Sequence, residues 1–380
     1  MDVEALDLKG RLDFLGHFSD LPDPRQAPKV LYPLAEVLLL TLCAVICGAD
    51  GWVSVALFGR AKLAFLRRFL TFEHGTPSHD QLGLIFGALD VVAFQKCFIA
   101  WTQALAGAIE GVVAVDGKTV RRSFDRRKGH PAIHMVSAWS SKQKLVLGAQ
   151  VTEEKSNEIT AIPELLNLLD IKGAIVTIDA MGCQKKIVET ILDRGADFVI
   201  GLKGNQGTLR SDVELLFDEQ FANGFKDITV SKTTLQTDGG HGRIETRQIF
   251  ATDDIEWLKQ RHDWTGLNTI IMVLSTRETD KGTKQVRRFY ISSLPADAEK
   301  LANAIRAHWG VENSLHWVLD VNFRDDDCRI RRKNAPANFS AIKRATVNAL
   351  ENAPSKESLK SKSLVAGWDE EFLEKVVRCL

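Results

Sequence analysis

Over roughly the first hundred residues the apolar positions come in long runs without strand-like alternation, LAEVLLLTLCAVICGA being the longest, with breaks at Gly48-Ala49-Asp50-Gly51 and Gly75-Thr76-Pro77. That pattern predicts helices up to about Ala106. Ser78 and Gln81 have the spacing of a capping box, which places a helix start there and sets Ser78, His79, Asp80 and Gln81 on its exposed first turn, where plain capping competes with a contact to phosphates or bases. At Val112 the pattern changes. VVAVDG, HMVSAWSS, KLVLGAQVT, AIVTIDA and DFVIGLK are short, rich in β-branched residues and bounded by turn signals, and read as strands. EITAIPELLNLL and KKIVETILDRG read as helices on either side of AIVTIDA. VVAV and AIVTI are apolar almost throughout, as central strands of a helix-covered sheet are. From Gly204 to about Ser293 strand-like pieces return (ETRQIFAT, NTIIMVLST, RRFYISS) without helical stretches of comparable strength. A long helical pattern resumes at Asp297 through AEKLANAIRAHWGVENSLHWVL, and after Asn352 the chain is polar and weakly patterned. The expected class is α/β, in three parts: an all-helical domain over 1–108, a candidate for DNA binding; a catalytic domain over 109–350 with a β-rich insertion at about 204–293; and a tail, 351–380.

Composition changes this picture little. With 380 residues, 45% hydrophobic and 26% charged, the chain is an ordinary folded protein long enough for more than one domain. Lys+Arg and Asp+Glu are 49 each, so no global basic field points to a nucleic acid. Local clusters do stand out, one of Lys118, Arg121, Arg122, Arg126, Arg127 and Lys128 and another of Arg329, Arg331, Arg332 and Lys333; either also fits a solvated face. The six cysteines show no CxxC pair and no zinc spacing, which fits a reducing cytoplasm, and Cys43 and Cys47, one helical turn apart, are expected as buried thiols. The longest apolar run contains Glu36 and is shorter than the roughly 20 residues a membrane span needs, so it reads as a core helix; MDVEALDLKG is no signal peptide.

The candidate chemistry is acidic. Asp116 follows VVAV and Asp179 follows AIVTI, so both carboxylates emerge beyond strand ends, where open α/β sheets place ligands. Magnesium takes oxygen ligands and keeps several waters, so a few carboxylates suffice to hold it. The alternative is that each aspartate caps its own turn. Glu312 lies on the same helical stripe as Ile305, Trp309, Leu315 and Leu319, where a carboxylate needs a partner: a metal ion, His308 or His316, or Arg306. Trp309 is expected in the core. GVVAVDGKT is not a phosphate loop, because five residues separate its glycines and they form a strand; with no GxGxxG either, no nucleotide cofactor is expected. His308, His316 and Asp320 match no standard zinc spacing.

The stretches DPRQAPKVLYPLAEVLLLTLCAVICGADGW, PSHDQLGLIF, AVDGKTVRRS, HMVSAWSS, TIDAMGCQ, FVIGLKGNQGTL, HGRIETRQI and HWGVENSLHWVLDVNFRDDDCRIRR closely resemble, in order, the H-repeat-associated transposases of bacterial insertion sequences, which belong to the DDE class. The resemblance implies an RNase H-like mixed sheet flanked by helices, with Asp116, Asp179 and Glu312 as the catalytic and metal-binding acids. It implies two divalent ions, Mg²⁺ or Mn²⁺, that activate the attacking oxygen and stabilise the leaving 3′ oxygen. Double-stranded DNA, as element terminal repeats and target, is the implied partner of a homodimer in the bacterial cytoplasm, at the nucleoid when bound. Lys118, Arg121, Arg122, Lys203 and Asn205 of the KGNQG turn, Arg243 and His308 are the expected DNA contacts. Around the third acid, broader relatives carry a tyrosine, an arginine and a lysine where this chain has Ile305, His308 and Leu319. The rival readings are a nuclease or resolvase without strand transfer, and an inactive DNA-binding derivative.

Overall fold

The computed structural model describes residues 13–125, 129, 131–152, 157–240, 243–280 and 282–379. Arg126, Arg127 and Lys128 of the first basic cluster lie outside the described residues. The elements in chain order are α1 (Asp13–His17), α2 (Leu34–Ile46), α3 (Trp52–Ala61), α4 (Leu63–Leu66), α5 (His79–Ala88), α6 (Val91–Ala106), β1 (Val112–Thr119), β2 (His134–Ser140), β3 (Leu145–Thr152), α7 (Glu158–Leu168), β4 (Ile175–Ile178), α8 (Lys185–Asp193), β5 (Asp197–Leu202) and α9 (Gly207–Asn223). There follow β6 (Ser231–Lys232), β7 (Gln236–Gly240), β8 (Arg243–Thr252), β9 (Thr269–Thr279), β10 (Gly282–Ser292), α10 (Ala298–Gly310), a π-turn (Val311–His316), α11 (Trp317–Val321), α12 (Ala335–Asn352), α13 (Leu359–Trp368) and α14 (Glu370–Arg378). The chain divides into two compact units: Met1–Ala108, Gly117–Asn157 and Glu312–Leu380 form the first, and Ile109–Asp116 and Glu158–Val311 the second.

In the first unit α12 is the central helix. Pro336 in its first turn needs no hydrogen-bond partner for its nitrogen, and the alanine-rich sequence that follows favours helix. It packs against α2, α5, α6, α13, α14 and strand β3, and its residues from Ala335 to Leu350 are all buried. Burial on every side requires its polar side chains to be paired. Asn348 accepts from the Val146 amide at 2.8 Å and donates to the Val146 carbonyl at 2.9 Å, Asn338 donates to the Phe86 and Leu89 carbonyls, and the Lys343 ammonium lies 3.0 Å from Asp325. The long apolar run is α2, buried over most of its length as a core helix, and among the described residues no single helix is long and apolar enough to cross a membrane. Cys43 is buried and Cys47 half-buried; desolvation holds the Cys43 thiol well above its ordinary value and pushes that of Cys47 up to about 12, which makes both poor nucleophiles. Ser78 caps α5 and exchanges hydrogen bonds with Gln81, which is the expected capping box.

The second unit is built on a mixed sheet in the order β1-β4-β5-β10-β9-β8-β6, with β7 on β8. β1, β4 and β5 are parallel, and β10 joins β5 antiparallel. Helix α10 lies on this sheet against β4, β5, β6 and β8, burying Leu301, Ala304 and Ile305 with Val199, Ile249, Ala251, Ile271 and Val273. The fold is α/β, a mixed sheet flanked by helices behind a helical amino-terminal region, as expected.

Three stretches differ from their sequence pattern. The insertion opens with α9, whose buried Leu209, Val213 and Phe217 recur every fourth residue; the three stand among mostly polar neighbours, which leaves a thin apolar stripe. The tail forms α13 and α14, capped by Ser358 and Asp369, and buries Leu373, Val376 and Val377. The long helix after Asp297 is interrupted by the π-turn, which inserts a wider turn between α10 and α11.

Candidate metal centre

β1 does not stop at Asp116; it runs on to Thr119, so Asp116 is not the cap of an Asp-Gly turn. Its parallel pairing with β4 aligns Val112 with Ile175, Val113 with Val176, Ala114 with Thr177 and Val115 with Ile178. Asp116 and Asp179 are the residues that follow the last of these pairs. Neighbouring strands lie about 4.8 Å apart, so the two aspartates leave the paired ends of adjacent parallel strands. Asp179 keeps extended backbone (φ −67°, ψ 176°) and its Oδ1 accepts from the Met181 amide at 2.9 Å. It therefore does cap its turn, a role that is compatible with presenting its carboxylate next to that of Asp116. Paired carboxylates offer only hard oxygen donors, which suit Mg²⁺ or Mn²⁺.

The turn after Asp179 is braced from beneath. Asn205 Nδ2 donates to the Ala180 carbonyl at 2.7 Å, and Gln206 Nε2 donates to the Cys183 carbonyl at 2.8 Å. A Cβ on Gly182 would come within 2.3 Å of Ile178 Cγ2, and one on Gly201 within 3.1 Å of the Ala180 nitrogen, so both glycines permit the close approach. Asn205, expected at DNA, also holds the loop that carries Asp179, and both it and Lys203 are exposed. Nothing in the sequence marks this brace, because its partners are backbone carbonyls more than twenty residues away.

His308, also expected at DNA, places Nδ1 3.1 Å from Oγ1 of Thr177 and so ties α10 to β4. Thr177 and Asp179, two apart on extended backbone, project to the same face of the sheet, the face that carries α10. In the chain, α10 leads directly into the π-turn. Its wider turn takes Glu312 off the apolar stripe: the Glu312 side chain is 54% exposed, while Leu315 and Leu319 are fully buried. Trp309, expected in the core, is 51% exposed. Of the partners left open for Glu312, His316 is beside it, with Nδ1 3.5 Å from Oε2. Arg306 donates to Oε1 of Gln236 at 2.6 Å.

The cations after the first acid separate by burial. Lys118 is 8% exposed and held by Asp320 at 2.7 Å and Asp326 at 3.0 Å, which is at odds with a phosphate contact, since both carboxylates already surround its ammonium. Arg121 is 79% exposed and Arg122 50%, paired at 3.2 Å with Asp326 and 3.3 Å with Asp327. Exposed pairs of this kind contribute about 0–1 kcal/mol, so phosphates can displace them. The three consecutive acids thus take different partners, with Asp325 turned inward to Lys343. Arg243 starts β8, and its side chain lies outside the described residues.

Residues 15–102 match the family model described as DDE_Tnp_1-associated, and residues 107–348 match the Transposase DDE domain. The chain is 45% identical over 341 residues to "Putative transposase YncI" of Escherichia coli O157:H7, an alignment spanning 88% of this chain and 86% of that protein. It is 42% identical over 368 residues to "H repeat-associated putative transposase YhhI" of Escherichia coli strain K12, over 95% of this chain and 96% of that one.

Proposed function

Because the chain belongs to the DDE transposase family, we propose that it cleaves the DNA ends of an insertion sequence and transfers the freed 3′-OH to target DNA. The observation that carries this reading is that Asp116 and Asp179 directly follow Val115 and Ile178, the last aligned pair of the adjacent parallel strands β1 and β4. Asp116, Asp179 and Glu312 are the ligands in this reading, and Glu312 belongs to the π-turn that follows α10 in the chain. Two divalent ions, Mg²⁺ or Mn²⁺, would supply Lewis-acid activation of the attacking oxygen and stabilisation of the leaving one. In the first step water attacks phosphorus and the P–O3′ bond breaks, leaving a 3′-OH; in the second that hydroxyl attacks a target phosphodiester and displaces its 3′ oxygen. The Asn205 brace keeps Asp179 in register while the strands of DNA change.

Arg121, Arg122, Lys203 and Arg243 are the cations proposed to hold the double-stranded DNA backbone, with His308 next to the acid-bearing turn. Bringing two element ends together calls for at least a homodimer on DNA, working at the nucleoid in the cytoplasm. Replacing Arg121 and Arg122 together by alanine should lower the slope of log K against log salt by about 2, since each phosphate contact contributes about 0.9. An unchanged slope in a filter-binding titration would remove both from the DNA surface.

The direct test is product analysis on supercoiled DNA carrying the element ends with Mg²⁺, comparing the parent protein with Glu312→Gln. Joined molecules from the parent, and neither cutting nor joining from a variant that still binds DNA, are expected. Nicks without joined products would make the protein a nuclease or resolvase, and binding without cutting an inactive derivative.

A further inference from the structure

We propose that His316 is a nitrogen ligand to the divalent ion held at Glu312, which makes the site a mixed oxygen and nitrogen centre. The inference rests on the reading of Glu312 as a metal ligand. Both residues belong to the π-turn Val311–His316, a type of helix distortion that often marks functional positions. The imidazole is 6% exposed, on the same turn as Leu315 and next to Val318 and Leu319, all three buried; the Glu312 carboxylate is 54% exposed. A fixed, inward ring beside a movable, outward carboxylate is a suitable pair for an ion that must also accept water and DNA oxygens.

The His316 Nδ1 to Glu312 Oε2 separation is 3.5 Å. Two donors each about 2.1 Å from one octahedral ion, at right angles, stand about 3.0 Å apart. A rotation of the exposed carboxylate by a few tenths of an ångström reaches that spacing while the buried ring stays in place. Imidazole is a softer donor than carboxylate and favours later transition metals over Mg²⁺, so the pair should bias the site away from Mg²⁺ relative to an all-carboxylate one.

The experiment uses the full chain with Mn²⁺ alone, without DNA, read by electron spin-echo envelope modulation. The parent should show ¹⁴N modulation on bound Mn²⁺, and growth with ¹⁵N-histidine should replace that pattern in the unaltered protein, which does not depend on any variant folding. His316→Gln should lose the nitrogen modulation, identify which of the nine histidines is responsible, and bind Mn²⁺ about 10-fold more weakly. Mn²⁺ that binds in a Glu312-dependent way without nitrogen modulation overturns the assignment of His316 and leaves the metal reading of Glu312 intact. Mn²⁺ binding that Glu312→Gln does not alter overturns both.

Discussion

Asp179→Asn should reduce DNA cleavage by on the order of 10³-fold while leaving the protein as stable as the parent, because the substitution removes a charge from the proposed metal centre and little else. Asparagine has nearly the same volume, and its carbonyl oxygen can still accept from the Met181 amide that Asp179 Oδ1 now takes at 2.9 Å. The turn between β4 and α8 therefore keeps its cap. Asp179→Ala loses the cap as well and should cost about 1 kcal/mol of stability in addition to activity. The two variants separate two roles that coincide in one side chain, and thermal melts beside single-turnover cleavage rates would measure each. Cleavage by Asp179→Asn within about 10-fold of the parent, about 1.4 kcal/mol of barrier, would remove Asp179 from the metal centre and leave it only as a turn cap.

The largest effect on stability is expected at Lys343→Met. This substitution leaves the Asp325 carboxylate, which is 1% exposed, without the ammonium 3.0 Å away, and breaking a buried pair from one side costs about 3–5 kcal/mol. Changing both partners, Asp325→Asn with Lys343→Met, should restore part of that loss, since the Asp325 carboxylate is then no longer buried without its ammonium. The pair also predicts a pH dependence. Burial by itself would push the Asp325 carboxyl up, but the charges of Lys343, Arg344 and Lys118 outweigh burial and hold it below its ordinary value. A carboxyl depressed in the folded state contributes stability fully above its unfolded pKa of about 3.9, and that contribution is lost as pH falls through the folded value. Melting temperatures of the parent should thus fall more steeply below about pH 4 than those of the double variant. Equal acid slopes, or a Lys343→Met protein as stable as the parent, would show that the pair carries little of the energy.

The acids and the sheet were legible for one reason: central strands of a helix-covered sheet are apolar over their whole length, so VVAV and AIVTI announce themselves and the aspartates that follow them stand out. Asp325 to Asp327 show the opposite case. Three consecutive identical residues carry no local sign that the first faces Lys343 in the core while the next two meet Lys118, Arg121 and Arg122 near the surface. Likewise α9 and the helices of the tail were obscure because each buries only a narrow apolar stripe, too thin to stand out from polar neighbours.

By itself, then, the sequence determined the α/β class, the order of strands and helices from β1 to β5, the core character of α2 and the identity of Asp116 and Asp179 as candidates, since all of these follow from local periodicity and from residues adjacent in the chain. Tertiary structure alone decided that these two acids follow an aligned pair of neighbouring strands, that Asn205 serves the loop of Asp179, that Lys118 is enclosed by acids, and that Glu312 and Trp309 are exposed. Each of those depends on strand register, on partners far away in the chain or on one extra residue in a helical turn, and none of these leaves a periodic trace in the sequence.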